Sequence, residues 1–204
     1  MAQRLILFLT ALGVACGGAP AEAPAPSPTA PLPTAGLAGQ SVAVTPLTLF
    51  AVDDTMGWVA ELTPRRAVLD HADSVLGALL TERSPEVTWV LPPALRRAAE
   101  RAPGILAAPD QLGTALLRHP QAQVPDPLRS QLRALAGVAG SRYVLVPAAL
   151  VFRPADGGGR AELILVLADV RTGLIGWRTV AHATRDAPWP AFEAAVRSLV
   201  PGLP

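Results

Sequence analysis

The chain has one cysteine and no lysine: all 17 of its basic residues are arginine. A single thiol excludes a disulfide within the chain, so the fold holds without covalent staples. Charge is scarce, at 16% of residues, and the formal net charge is +1. That balance excludes the strongly basic footprint of a nucleic-acid-binding domain. The missing lysine reads as codon bias of a GC-rich genome, and it also removes the cation that a phosphate loop requires. A long apolar run is absent as well. Leu5 to Ala15 comes nearest, and it breaks into glycine and proline well short of the roughly 20 residues that span a bilayer. No serine stands in a Gly-x-Ser-x-Gly elbow, so that route to an activated nucleophile is closed.

What is there begins with an address. Arg4 supplies positive charge, Leu5 to Ala15 form the apolar stretch, and small residues Gly13, Ala15, Gly17 and Gly18 surround Cys16. This is the layout of an export signal. Gly13-Val14-Ala15-Cys16 resembles the lipobox of bacterial lipoproteins, with Gly13 where a large aliphatic residue is usual and Leu12 one place earlier. The resemblance implies cleavage before Cys16 and acylation of its thiol and new amino terminus. Small side chains let extended backbone enter a peptidase cleft, and a thiol accepts a diacylglyceryl group. Each buried methylene contributes about 0.8 kcal/mol, so two or more acyl chains hold a domain to a membrane where one does not. Gly17 after the cysteine, in place of aspartate, resembles lipoproteins sorted to the outer membrane.

From Ala19 to Gln40 the chain is dominated by alanine, proline and glycine, and Glu22 is its only charge. Prolines at 20, 24, 26, 28, 31 and 33 favour polyproline II. At about 3.1 Å per residue such a tether reaches roughly 60 to 70 Å. The expected organisation is a signal peptide over 1–15, a lipidated cysteine and tether over 16–40, and one globular domain over 41–204. Half of the residues are apolar, and about 160 residues suffice to bury a core.

Within the domain, Ser41 to Leu47 reads as a strand halted by Pro46, and residues 48 to 62 as a loop or an edge strand. Thr63-Pro64 predicts an N-cap followed by proline at the first helical position. Val68, Ala72, Val75, Leu76 and Leu79 then recur at helical spacing and define one buried face. Thr88 to Leu91 is a short strand closed by Pro92-Pro93, with a helix from Ala94 to Arg101. Pro109-Asp110 opens a short helix that ends before Pro120, and Asp126-Pro127 repeats the cap-then-proline signature ahead of a helix closed by Gly140. Arg142–Phe152, Ala161–Val170 and Leu174–Ala183 are β-favouring, and their short links, one of them the loop 154–159, predict an antiparallel meander. Leu163 to Leu167 is apolar on both faces, which predicts a strand covered on both sides. A closing helix spans Pro188 to Leu199, with Phe192, Val196 and Leu199 inward. The fold class is α/β, a mixed sheet with a C-terminal three-stranded meander and helices packed on it.

Ser141-Arg-Tyr-Val-Leu-Val, followed by Ala161 through Trp177 with Asp169-Val-Arg-Thr-Gly173 at the turn, resembles a pattern shared by a group of envelope proteins. The group comprises TolB amino-terminal domains, curli-assembly lipoproteins and penicillin-binding-protein activators, whose opening Val-Ala-Val-x-Pro strand is similar to residues 42 to 46. The resemblance covers about residues 41–47 and 141–200 and implies a periplasm-facing accessory or scaffold domain. Pro147 stands where the group often has glycine, and pore formation is not implied.

The remaining residues offer little chemistry. Turn propensities account for Asp169 to Gly173. Asp70 and Asp73 share a helix face at i, i+3 spacing while His71 points elsewhere, which reads as a solvated face. Arg97 with Arg101, and Arg129 with Arg133, stand four apart, and these together with Arg96 predict acidic partners inside the fold. The leading expectation is a lipid-anchored envelope protein, held to the membrane through Cys16, whose domain binds or scaffolds another envelope protein without catalysis. No cofactor, metal, nucleic acid or small-molecule substrate is implied. The alternative is a cell-wall-directed hydrolase using the loop around Asp53 and Asp54, beside Trp58.

Overall fold

Proline decides where the first strand stops. In a computed structural model that describes residues 27–201, β1 (Ser41–Val44) ends two residues before Pro46, which has no N–H for a ladder. The lane resumes at β2 (Phe50–Val52), so the ambiguous segment after residue 47 holds an edge strand, followed by a 3₁₀ turn over Asp54–Met56. Both pieces run parallel to the same long strand, β4 (Tyr143–Ala155): Val44 faces Leu145 and Phe50 faces Leu150. On the other side of β1 lies β3 (Thr88–Val90), also parallel. The six-stranded sheet has the order β3-β1-β4-β5-β6, with β5 at Gly158–Asp169 and β6 at Ile175–Arg185, and β2 beside β4. β4, β5 and β6 are antiparallel neighbours, as the short links require.

The loop expected over 154–159 is shorter than the glycines suggest. Ala155 pairs with Gly158, so only Asp156 and Gly157 turn, and Gly157 takes the positive φ of 79° that glycine tolerates. Gly159 serves packing: the Trp58 ring occupies the space where a Cβ would stand.

Four α-helices cover the sheet among the described residues: α1 (Arg65–Arg83), α2 (Pro92–Glu100), α3 (Leu128–Val138) and α4 (Pro188–Arg197). α1 presents Val68, Ala72, Leu76 and Leu79 to one face of the sheet, and α4 adds Phe192 and Val196 to the same layer. α2 and α3 close the opposite face with Leu95, Leu128, Leu132 and Leu135. β5 feeds both layers, Leu163, Leu165 and Leu167 on one side and Val166 and Ala168 on the other. The two caps differ from expectation. Pro64 and Pro127 are themselves the N-cap residues, one place earlier than predicted, and neither helix has a side-chain cap. Thr63 instead donates its hydroxyl to the Val59 carbonyl. The helix expected from Pro109 is two 3₁₀ turns, Pro109–Gln111 and Thr114–Arg118.

The stretch assigned to the tether also differs. Leu32 and Leu37 are buried in the α1–α4 layer. Backbone bonds fasten this stretch: Leu32 N–H donates to Leu199 at 2.7 Å and Gly39 N–H to Glu86 at 2.8 Å. Ala30 N–H donates to the Thr179 hydroxyl at 2.8 Å. Composition marks this stretch as spacer, but two leucines with apolar grooves to fill pin it to the domain as a strap.

Candidate functional site

The break between β1 and β2 leaves the N–H of Leu47 inside the protein without a ladder partner. Asp73, on α1, accepts it at 2.8 Å. The other oxygen of that carboxylate takes a bond from Arg96 of α2 at 2.9 Å. Arg96 also grips Asp110 through both Nε and Nη2, the shortest contact being 2.7 Å. Arg66 reaches Asp110 at 3.2 Å and Asp70 at 2.9 Å, and Asp70 approaches Arg96 at 3.4 Å. Two arginines and three aspartates thus close a ring that ties α1, α2 and the 109–111 turn to the carboxyl end of β1. The chain runs from β1 through α1 to β3 on one face, then through α2 and α3 to β4 on the other. Such a switch in direction opens a crevice at the strand ends, the usual place for a site in an α/β sheet.

Two clefts flank the ring. One, of about 350 Å³, lies among Arg66, Glu100, Leu106 and Asp110. The other, of about 540 Å³, runs along α1 past Gly77 and Ala78 to Pro92 and Pro93. Burial is the chief influence on Asp73 and pushes its carboxyl up to about 6, against the opposing pull of the Leu47 N–H and Arg96. Hydrogen bonds from Arg96 hold Asp110 below the ordinary carboxylate range. Carboxylates driven apart in this way can mark an acid–base pair. Here both oxygens of Asp73 are engaged, so the arrangement holds elements together and has no free group to transfer a proton. Among the described residues no cluster of three or more His, Cys, Asp or Glu side chains can hold a metal ion.

Asp70 and Asp73 do share a face, as the spacing says, but Asp73 is buried while Asp70 stays partly exposed at its edge. The available signal was register: Asp73 stands among Leu69, Leu76 and Leu80 at intervals of three, four and seven, on the apolar stripe itself. His71 points away and packs edge-on against Trp189, with centroids 4.2 Å apart. Arg96 alone of the five singled-out arginines finds acidic partners. Arg101 donates to the carbonyl of Arg97, and Arg129 and Arg133 donate to the carbonyls of Thr172, Val170 and Arg171 at the β5–β6 turn. That turn forms as its residues require: Asp169 accepts the N–H of Arg171 at 2.9 Å, and Gly173 has φ of 79°.

The hydrolase reading loses its aromatic platform. Trp58 is buried, edge-on to Phe152 at 5.8 Å between centroids and pressed against Gly159, so its face is closed to a sugar ring. Asp53 accepts both the N–H and the hydroxyl of Thr55, an ordinary local turn. Cys16 lies outside the described residues.

The chain matches no protein-family model and no curated protein sequence. It is similar to a number of solved structures, among them the following three. The LpoB C-terminal domain from Salmonella enterica is 20% identical, covering 72% of this chain and 84% of that one, with a TM-score of 0.46. The PelC dodecamer from Paraburkholderia phytofirmans is 16% identical over 85% and 95%, with a TM-score of 0.41. Lipoprotein GNA1162 from Neisseria meningitidis is 16% identical over 72% and 81%, with a TM-score of 0.37. At these values the likenesses assign neither family nor function.

Proposed function

We propose that this is a lipid-anchored protein of the cell envelope, facing the periplasm from the outer membrane, whose domain binds or scaffolds another envelope protein without catalysing a reaction. The observation that carries the reading is Cys16, placed after Gly13-Val14-Ala15 where the only long apolar stretch near the start gives way to proline and alanine. A diacylglyceryl group on the thiol and an acyl chain on the amine together hold a domain at a bilayer durably. No helix among the described residues is long and apolar enough to cross a membrane. The charged residues at the strand break support binding over chemistry, because they hold backbone and each other.

Anchoring also acquires a scale. The strap places Ser27 and Pro28 against Arg178 and His182 of β6, so only residues 16–26 separate the lipid from the domain. Eleven links span at most about 40 Å, well short of the reach that composition suggested. The test is Cys16→Ser in cells fed labelled fatty acid. The expected result is loss of label and release of the protein from the membrane fraction. A mature chain with an unmodified thiol, or one that begins downstream of Cys16, overturns the proposal.

A further inference from the structure

The first described residues, Ser27 and Pro28, and the larger cleft lie at opposite edges of the sheet. Ser27 and Pro28 lie beside β6, the last strand in the order. The 540 Å³ cleft lies at the other edge, where Leu91, Pro92 and Pro93 follow β3 directly. α1 belongs to one layer and α2 to the other, so the cleft wraps the β3 edge between them. Four strand spacings, about 19 Å, separate the two edges.

The cleft is a shallow groove with apolar walls. Its α1 side carries Gly77 and Ala78, which lack the bulk to fill it, and Leu91 stands 3.1 Å from where a Gly77 Cβ would be. Its rim is acidic. Asp70, with 43% of its side chain exposed, and Asp73 stand at one end, and the exposed Glu82 lies along the same helix face. The one cation in the lining, Arg96, is already shared by Asp70, Asp73 and Asp110. Arg66 offsets Asp70 and Asp110 from outside the groove. In the lining itself, three acids against one arginine leave negative charge facing an apolar floor.

Resting on the envelope-scaffold reading, we infer that this groove is where a partner protein docks, through a segment that presents an aliphatic or aromatic side chain next to an arginine or lysine. The apolar side chain packs over Ala78 against Leu91, Pro92 and Pro93, and the basic group meets Asp70 or Glu82. Desolvated apolar anchors inside a charged rim are the usual source of affinity at such surfaces, and the rim charges set partner choice. The β3 edge lies four strands away from Ser27 and Pro28, where the described chain begins.

The test is photo-cross-linking in cells that make the full lipidated protein, with the reactive residue at Ala78 or, for comparison, at Thr184 of β6. The expected adduct forms at Ala78, and its cross-linked peptide belongs to another protein and contains an arginine or lysine beside an apolar residue. Glu82→Arg and, separately, Thr81→Arg, both exposed helix positions, are expected to cut the adduct about tenfold through like-charge repulsion. An adduct to a second copy of this chain, a peptide without a basic residue, no adduct, or an unchanged yield in both variants overturns the inference. Fatty-acid labelling of Cys16 is read in the same cells. Retained labelling with a failed cross-link condemns the groove alone, and lost labelling condemns the anchoring proposal.

Discussion

The two halves of the sheet solve the same backbone problem by different means. The meander β4–β5–β6 runs with only two register irregularities: Tyr143 to Ala155 pairs with Asp169 to Gly158, with one shift between Pro147 and Ala149 and another in β5–β6 between Leu167 and Ala168. Its side chains bury almost without charge, Leu150, Phe152, Leu163 and Leu165 being 0% exposed. The β1–β2 lane is broken by Pro46, and the orphaned Leu47 N–H is satisfied by a carboxylate that needs an arginine of its own. A ladder satisfies its donors with repetitive backbone bonds, whereas the break recruits a carboxylate and a guanidinium from two helices. The first half therefore carries a buried carboxylate whose partners decide its stability, while the meander keeps its titrating carboxylate, Asp169, at the β5–β6 turn beside Arg142.

The largest separation between the halves is expected from Phe152→Ala. Removing this ring from between β4 and Trp58 leaves a cavity and costs about 3 to 5 kcal/mol. Denaturant titration is expected to show the same loss at pH 4.5 and pH 7.5. A loss below about 1 kcal/mol breaks the claim that apolar burial holds the meander.

Arg96→Met is expected to cost about 3 kcal/mol at pH 7.5, because Asp73 is left buried without its cation. Chemical denaturation at pH 4.5 is expected to show a smaller loss, since a protonated Asp73 no longer needs that cation. Equal losses at both values contradict the ring as the repair of the strand break.

Leu32→Ala tests the strap, at about 2 kcal/mol or somewhat more. Faster proteolysis near residue 30, with the meander still protected from hydrogen exchange, is the expected pattern. Unchanged cleavage returns these residues to the spacer that composition suggests.

The subtlest effect is titration of Asp73. Its carboxyl rises from an ordinary 3.8 to about 6 in the folded protein. A raised acid contributes its full stability below the unfolded value and loses it as pH climbs through the folded one. The wild type is therefore expected to lose stability relative to Asp73→Asn between about pH 4 and pH 6, on the order of 2 to 3 kcal/mol at most. Asp110 acts in reverse, since its lowered carboxyl contributes above the ordinary range and fades as pH falls through the folded value. Urea midpoints of the two proteins across that range give the measurement, and parallel curves refute the assignment to Asp73.

Much of the fold was legible because it rests on local rules. The meander follows from strand composition and short links, and α1 announced itself by the spacing of Val68, Ala72, Leu76 and Leu79. Proline was read correctly as a breaker at Pro46 and displaced by one residue at Pro64 and Pro127. A single-residue shift is within what propensity resolves, since either N-cap or first-turn placement suits the missing N–H. The ring was not legible. Arg96 was expected to find acidic partners within the fold, but which ones, Asp70, Asp73 and Asp110, shows only once α1 and α2 are seen on opposite faces of one edge.

The sequence by itself determined the strands: three β-favouring segments too closely linked to be anything but antiparallel neighbours. Those features need only nearest-neighbour chemistry. Tertiary structure alone decided that Leu32 and Leu37 leave the tether for the core, that Trp58 closes over Gly159, and that Arg96 joins three carboxylates at a broken strand. Each of these depends on which surfaces meet when the two helix layers close on the sheet, and burial, unlike propensity, is a property of pairs far apart in the chain.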